Sequence, residues 1–163
     1  MQEIDLILLR ETFKYDPETG VITFKVRRGK KRPGDIAGSR KADGRIEINF
    51  SGRFVRAHRL AWALHYGEWP DAWIDHINCN VSDNRITNLR AATPGQNNRN
   101  RSMRSDNKTG FKGVSKYRGR YRADIQIPHG PKRFLGHFSS AEDAHQAYCA
   151  TADQLYGEFA RHH

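Results

Sequence analysis

The sequence lacks any apolar run long enough to cross a bilayer. Spanning one takes roughly 18 residues, and the longest candidate, Ile4 to Leu9, is interrupted by Asp5. No basic stretch precedes that run, so neither a signal peptide nor a membrane anchor is expected, and the cytosol is the expected compartment. Cysteine is scarce. Cys79 and Cys149 stand far apart and have no Cys or His companion at finger spacing, which excludes a disulfide framework and a Cys-ligated zinc knuckle. Apolar residues make up 37% of the chain, on the lean side for a globular protein, but three Trp, eight Phe and six Tyr suffice for modest cores and exclude wholesale disorder. With 163 residues there is room for one ordinary domain or two small ones, and for no large enclosed pocket.

Positive charge is plentiful. There are 28 Lys+Arg against 18 Asp+Glu, a formal net charge of +10, which points to a polyanion as partner. The charge is concentrated. Residues 25–45 hold nine basic side chains against two acidic, and residues 101–133 hold ten against two, whereas both chain ends are acidic. Both basic segments are rich in Arg, which forks onto phosphate, and each phosphate neutralised releases counterions. In the first segment the candidate DNA contacts are Arg27, Arg28, Lys30, Lys31 and Arg32.

Hydrophobic spacing divides the chain into an α+β pattern. A short helix over residues 4–13 is followed by the turn Asp16-Pro17-Glu18-Thr19-Gly20. Strands are expected at 21–26, 45–50 and 53–57, with a basic loop over 27–44, and a helix over 58–66 stops at Gly67. Residues 73–101 are dense in Asp, His and Asn. They read as a strand to Ile77, a loop to Asn88, a strand over 89–93, and a helix opened by Thr93 as N-cap with Pro94 first. Residues 102–109 lack an apolar face and read as a linker. Three short strands then follow, at 113–117, 120–127 and 132–138. Ser139 with Glu142 forms an expected capping box for a helix that runs to Tyr156.

Hydrolysis of a phosphodiester needs a nucleophilic water, a base for its proton, and positive charge on the phosphate. WIDHIN supplies a carboxylate, Asp75, beside an imidazole, His76. Because alternate strand residues face opposite ways, serving one site requires distortion at the strand end. Asn88 in TNLR and Asn97 in GQNN lie further along. Asparagine cannot act as a base, so these two suit the roles of neutral oxygen ligand and structural hydrogen bonder.

Residues 54–100, with AHRLAW, DHIN, DNRITNLRAAT and QNNRN, resemble the HNH endonuclease family, particularly the phage and group I intron-associated homing endonucleases. YDPETGVITFK is similar to the N-terminal region of such phage proteins. The resemblance implies a ββα-metal unit in which His76 is the general base and Asp75 and Asn97 hold one divalent ion, Mg2+ or alternatively Mn2+. Asn88 would tie the loop so that His76 is held in place. Asn78 and Cys79 stand where many relatives have Asp-Gly. His58 matches a family position, but a packing role suits it better than chemistry. His65, His129, His137, His145, His162 and His163 read as surface or structural.

Residues 110–161, with GFKGVSKYRGRYRADIQI and LGHFSSAEDAHQAY, resemble the AP2 DNA-binding domain, whose three-stranded sheet enters the major groove. Strand alternation puts Arg120, Arg122 and Gln126 on one face. Lys132 and Phe134 flank them on the third strand, and Lys112, Lys116 and Arg118 lie on the first strand and turn. Ser115 and Phe134 occupy places where the plant type has Arg-rich and Trp contacts, so no target sequence carries over.

The expected architecture is therefore a β-rich nuclease domain over 1–101, a linker over 102–109 and an AP2-like module over 110–163. The expected function is metal-dependent cutting or nicking of double-stranded DNA in the cytosol of a bacterial or phage-infected cell, with a monomer favoured over a dimer. The competing class is a non-catalytic DNA-binding regulator or architectural protein. An RNA-binding protein is the weaker third reading, since neither basic segment carries an RNA-recognition signature.

Overall fold

Asp5, which interrupts the first apolar run, caps the helix that begins next to it. Its carboxylate accepts from the backbone N–H groups of Ile7 (2.8 Å) and Leu8 (3.3 Å), satisfying two of the donors that a helix start leaves unpaired. Helix α1 then runs Leu6–Thr12. The structure, a computed structural model, describes residues 5–101, 103 and 105–162. Ile4 of the expected helix, Ser102 and Arg104 of the expected linker, and His163 lie outside the described residues. Two compact units divide at Ala92/Thr93.

In the first unit the chain passes from α1 directly into β1 (Phe13–Tyr15), which pairs antiparallel with β2 (Ile22–Phe24) across the Asp16–Gly20 turn. The sequence pattern extends the helix to Phe13, because a three-residue strand is too short to display a period of its own. The stretch 27–44, expected as a plain loop, is partly paired. Gly34 N–H donates to the Phe24 carbonyl and Ala37 N–H to that of Ile22, so the chain runs back along β2. It then forms a two-residue β3 (Ser39–Arg40) beside β4 (Ile46–Phe50), which pairs in turn with β5 (Arg53–Arg56). Helix α2 (Ala57–Tyr66) ends at Gly67, whose φ of +83° is the left-handed conformation that stops a helix.

Leu9, Phe13, Phe24, Ile48, Phe50 and Leu60 from these elements form one buried cluster. Each such side chain contributes about 1.5–3 kcal/mol on burial. On this base stands a hairpin, β6 (Trp73–His76) with β7 (Leu89–Ala92), joined by a loop that ends in a 3-10 turn over Ile86–Asn88.

The second unit opens with α3 (Pro94–Arg99). Thr93 is the N-cap that the sequence suggests, and a reciprocal box forms around it: Thr93 Oγ1 accepts from Gln96 N–H (3.3 Å) and Gln96 Oε1 accepts from Thr93 N–H (2.7 Å). Helix α3 is tied to the rest of this unit, since Lys112 Nζ donates to the carbonyls of Arg99 and Arg101 (both 2.9 Å) and the Arg99 guanidinium lies over the Tyr156 ring. Strands β8 (Val114–Tyr117), β9 (Arg120–Gln126) and β10 (Lys132–Phe138) make an antiparallel sheet with β9 central. Val114 and Ala123 on its inner face join Ala141 and Ala144 of helix α4 (Ala141–Tyr156) in a buried cluster. The α4 cap sits one residue later than the sequence suggests. Ser140, not Ser139, accepts from the N–H of Asp143 (3.0 Å), because the helix begins at Ala141.

Candidate active site

Asp75 and His76 are the last two residues of β6, and both are buried. Pairing sets Asp75 opposite Arg90 and His76 opposite Leu89, and the polar partners of the two side chains differ accordingly. Asp75 Oδ2 accepts from Arg90 Nε (3.1 Å) and Nη2 (3.0 Å). The His76 ring points elsewhere: Nε2 lies 3.1 Å from Oδ1 of Asn84, and the His58 ring stands edge-on at 5.0 Å between centroids. Burial pushes the His76 pKa below its ordinary value, against the pull of the Asn84 bond and the Asp75 charge. The imidazole is therefore neutral at neutral pH and able to accept a proton. His58, in the first turn of α2, is pushed down to about 3, by burial first and then by His76 and by Arg56 and Arg59. It stays uncharged and forms an aromatic wall.

The loop after β6 is closed by Asn88. Its Oδ1 accepts from Asn78 N–H (3.0 Å) and its Nδ2 donates to the Asp83 carbonyl (2.8 Å), while its own carbonyl accepts from Ile77 N–H (2.9 Å). The loop thereby returns its far end to the residue next to His76. Cys79, at φ +60°, donates its N–H to the His76 carbonyl (2.9 Å) and turns the chain out of the strand. Asp83 is held as a carboxylate, its pKa lowered to about 2 chiefly by the Arg85 guanidinium.

Asn97 lies half-buried on α3, in the second unit. Asp75 and Asn97 both offer oxygen, the donor chemistry of a hard divalent cation that keeps much of its water. Arg90 already occupies Asp75 Oδ2, so a cation there would share the carboxylate with a guanidinium. Among the described residues no group of three or more His, Cys, Asp or Glu could hold a metal. Arg90, Asn84 and the closeness of His58 to His76 are the features that sequence reasoning missed or left as packing. Register alone would have placed Arg90 opposite Asp75; the Asn84 contact carries no sequence signal.

The basic candidates differ in how free they are. Arg27, Arg28, Lys30, Lys31 and Arg32 are all exposed, on a tight turn closed by reciprocal backbone bonds between Arg28 and Lys31. The Arg28 guanidinium lies 5.5 Å from the Phe50 ring centroid. On the sheet of the second unit Lys116, Arg118, Arg120, Gln126, Lys132 and Phe134 are exposed. Lys112 is engaged with main-chain carbonyls, and so is Gln126, whose Nε2 donates to the carbonyls of Ile127 and Gly130. Arg122 is held bidentately by Asp124, Nε to Oδ2 and Nη2 to Oδ1 at 2.8 Å each, and lies over the Phe134 ring. A bulge between Phe134 and Gly136 brings His137 opposite Arg122. There it stacks on Tyr117 (5.2 Å) and touches Phe134 (4.9 Å), completing an aromatic strip that simple alternation would not place on this face.

The hairpin, its terminal Asp-His pair and its asparagine-closed loop all fall within one stretch that is similar to a known family. Residues 55–99 match the sequence model of the HNH endonuclease family. The chain is 36% identical over 108 residues to the uncharacterized HNH endonuclease L560 of Acanthamoeba polyphaga mimivirus, an alignment covering 65% of this chain and 56% of that protein. The chain thus spans little more than half the length of that relative. A structure of the HNH homing endonuclease I-HmuI, concerned with DNA binding and cleavage, aligns over 96% of this chain and 91% of its own at 18% identity, with a TM-score of 0.40.

Proposed function

We propose that this chain is a metal-dependent HNH endonuclease that hydrolyses phosphodiester bonds of double-stranded DNA by nicking or cutting. The observation that carries the reading is the buried, neutral His76 imidazole beside Asp75, inside the stretch that matches the HNH family. His76 takes the proton of a water as its oxygen attacks phosphorus, and the bond from phosphorus to the leaving oxygen breaks. Asp75 would be a ligand of one divalent ion, Mg2+ or Mn2+, with Asn97 the second protein ligand that the family resemblance implies; when bound, the ion would supply positive charge to the phosphate. Asn88 keeps His76 in place by closing the loop. The basic turn with Arg27, Arg28, Lys30, Lys31 and Arg32 grips phosphates.

The second unit anchors the enzyme as an AP2-like module, with Lys116, Arg118, Arg120, Arg122, Gln126, Lys132 and Phe134 facing DNA. Lys112 belongs to this set only if it leaves the carbonyls of Arg99 and Arg101. In this reading residues 1–101 are the nuclease part, 102–109 a linker and 110–163 the anchor, and the protein works as a monomer in a bacterial or phage-infected cytosol. One observation favours the competing class of a non-catalytic DNA-binding regulator or architectural protein: the Asp75 carboxylate is held by Arg90. Supercoiled plasmid incubated with the full chain separates the two. Nicked or linear product that needs Mg2+ or Mn2+ and is stopped by EDTA supports the nuclease; binding without any product supports the regulator.

A further inference from the structure

We propose that Asn84 is a positioning residue that fixes which ring nitrogen of His76 carries the proton. The inference rests on the reading of His76 as general base. Asn84 is 2% exposed, one of the largest side chains enclosed completely, and its Oδ1 meets His76 Nε2 at 3.1 Å. A carboxamide oxygen only accepts, so Nε2 must donate. A neutral imidazole has a single N–H, and its lone pair is then on Nδ1. Asn84 thus places the ring proton on Nε2 and leaves the basic lone pair on Nδ1.

The other asparagines of this loop do something different. Asn78 and Asn80 are exposed and close local turns, Asn78 Oδ1 accepting from Asn80 N–H (2.8 Å) and Asn80 Oδ1 from Ser82 N–H (3.2 Å). Asn84 instead reaches back across eight residues to the strand end, and its main chain is braced from outside the loop. The Tyr15 hydroxyl donates to the Asn84 carbonyl (2.7 Å), and the neighbouring Ile86 N–H donates to the Pro17 carbonyl (3.1 Å). Gly20, at φ +74°, lies so close that a Cβ there would stand 2.6 Å from the Asn84 carbonyl carbon. The β1–β2 turn therefore serves as a backstop for the residue that orients the ring, and His58 confines the ring edge-on. A neutral amide orients the imidazole without placing a charge on it, as second-sphere partners of catalytic and metal-bound histidines do.

The test uses the full chain with 15N-labelled histidine. Two-bond 1H–15N correlations of the wild type should show His76 as the Nε2–H form, with a hydrogen-bonded, slowly exchanging ring proton. In Asn84→Ala that proton signal should be lost and plasmid nicking should fall about 10- to 100-fold, with DNA affinity measured in EDTA unchanged. Asn84→Asp, which keeps an acceptor, should restore the signal and part of the rate. A wild-type ring in the Nδ1–H form overturns the inference even if no variant folds, and so does Asn84→Ala with unchanged signal and rate. Full cleavage by His76→Ala would instead overturn the general-base reading, whichever tautomer is found.

Discussion

Replacing Asn88 by alanine removes two side-chain hydrogen bonds at once, to Asn78 N–H and to the Asp83 carbonyl. A typical bond of this kind contributes about 1 kcal/mol net, and a buried partner left unsatisfied costs about 1–3 kcal/mol. Asn78 is exposed, so water can reach its N–H; the Asp83 carbonyl is less accessible. The expected loss is about 2–4 kcal/mol. For a chain of this length it corresponds to a fall in Tm of roughly 2–4 °C per kcal/mol. Urea unfolding followed by far-UV circular dichroism, with the slope m compared between variants, measures it directly. Because the loop delivers its carbonyl back to Ile77, next to His76, cleavage should fall as well, at unchanged DNA affinity in EDTA. A loss of stability below about 0.5 kcal/mol, the range of ordinary surface changes, would refute the view that this side chain closes the loop.

Gly113→Ala should unfold the second unit, since φ there is +78° and a Cβ would stand 2.1 Å from the Tyr148 ring; the amide signals of residues 114–156 report it, and native dispersion would contradict it. His58 binds a proton in the unfolded chain from its ordinary value near 6.5 but in the folded chain only near 3. Stability should therefore fall as pH drops below about 6.5, by up to about 1.4 kcal/mol per pH unit, and His58→Phe should flatten that slope in urea titrations at pH 4 to 7. Arg120→Ala with Lys132→Ala should reduce the dependence of log DNA affinity on log salt by about 0.9 for each phosphate that these side chains neutralise. An unchanged slope would mean that these two side chains do not meet DNA.

Local chemistry was legible and non-local chemistry was not. Thr93, Pro94 and Gln96 specify a helix start among themselves, so that cap could be placed from the sequence; Ser139 and Ser140 are equally good caps, and only packing decides between them. The alternation Tyr121, Ala123, Ile125 oriented β9 correctly. His137 escaped the same argument because the bulge before Gly136 shifts the register by one residue. Strands β1 and β3 are too short to show a period, and the return of residues 34–37 along β2 depends on pairing with a strand about ten residues away. In the candidate site, Asp75 and His76 stood out as a chemical pair. Asn84 did not, because in a loop with several asparagines nothing local marks the one that the Tyr15–Gly20 turn presses against the imidazole.

The proposed mechanism stands or falls on proton transfer by His76 during metal-dependent DNA hydrolysis. The most direct measurement compares wild type and His76→Ala on supercoiled plasmid in Mg2+, alongside DNA binding by both proteins in EDTA. Loss of a general base costs about 100- to 10,000-fold in rate. The expected result is a loss of nicking of that size with equal DNA affinity; nicking by His76→Ala within a few-fold of wild type would contradict the mechanism.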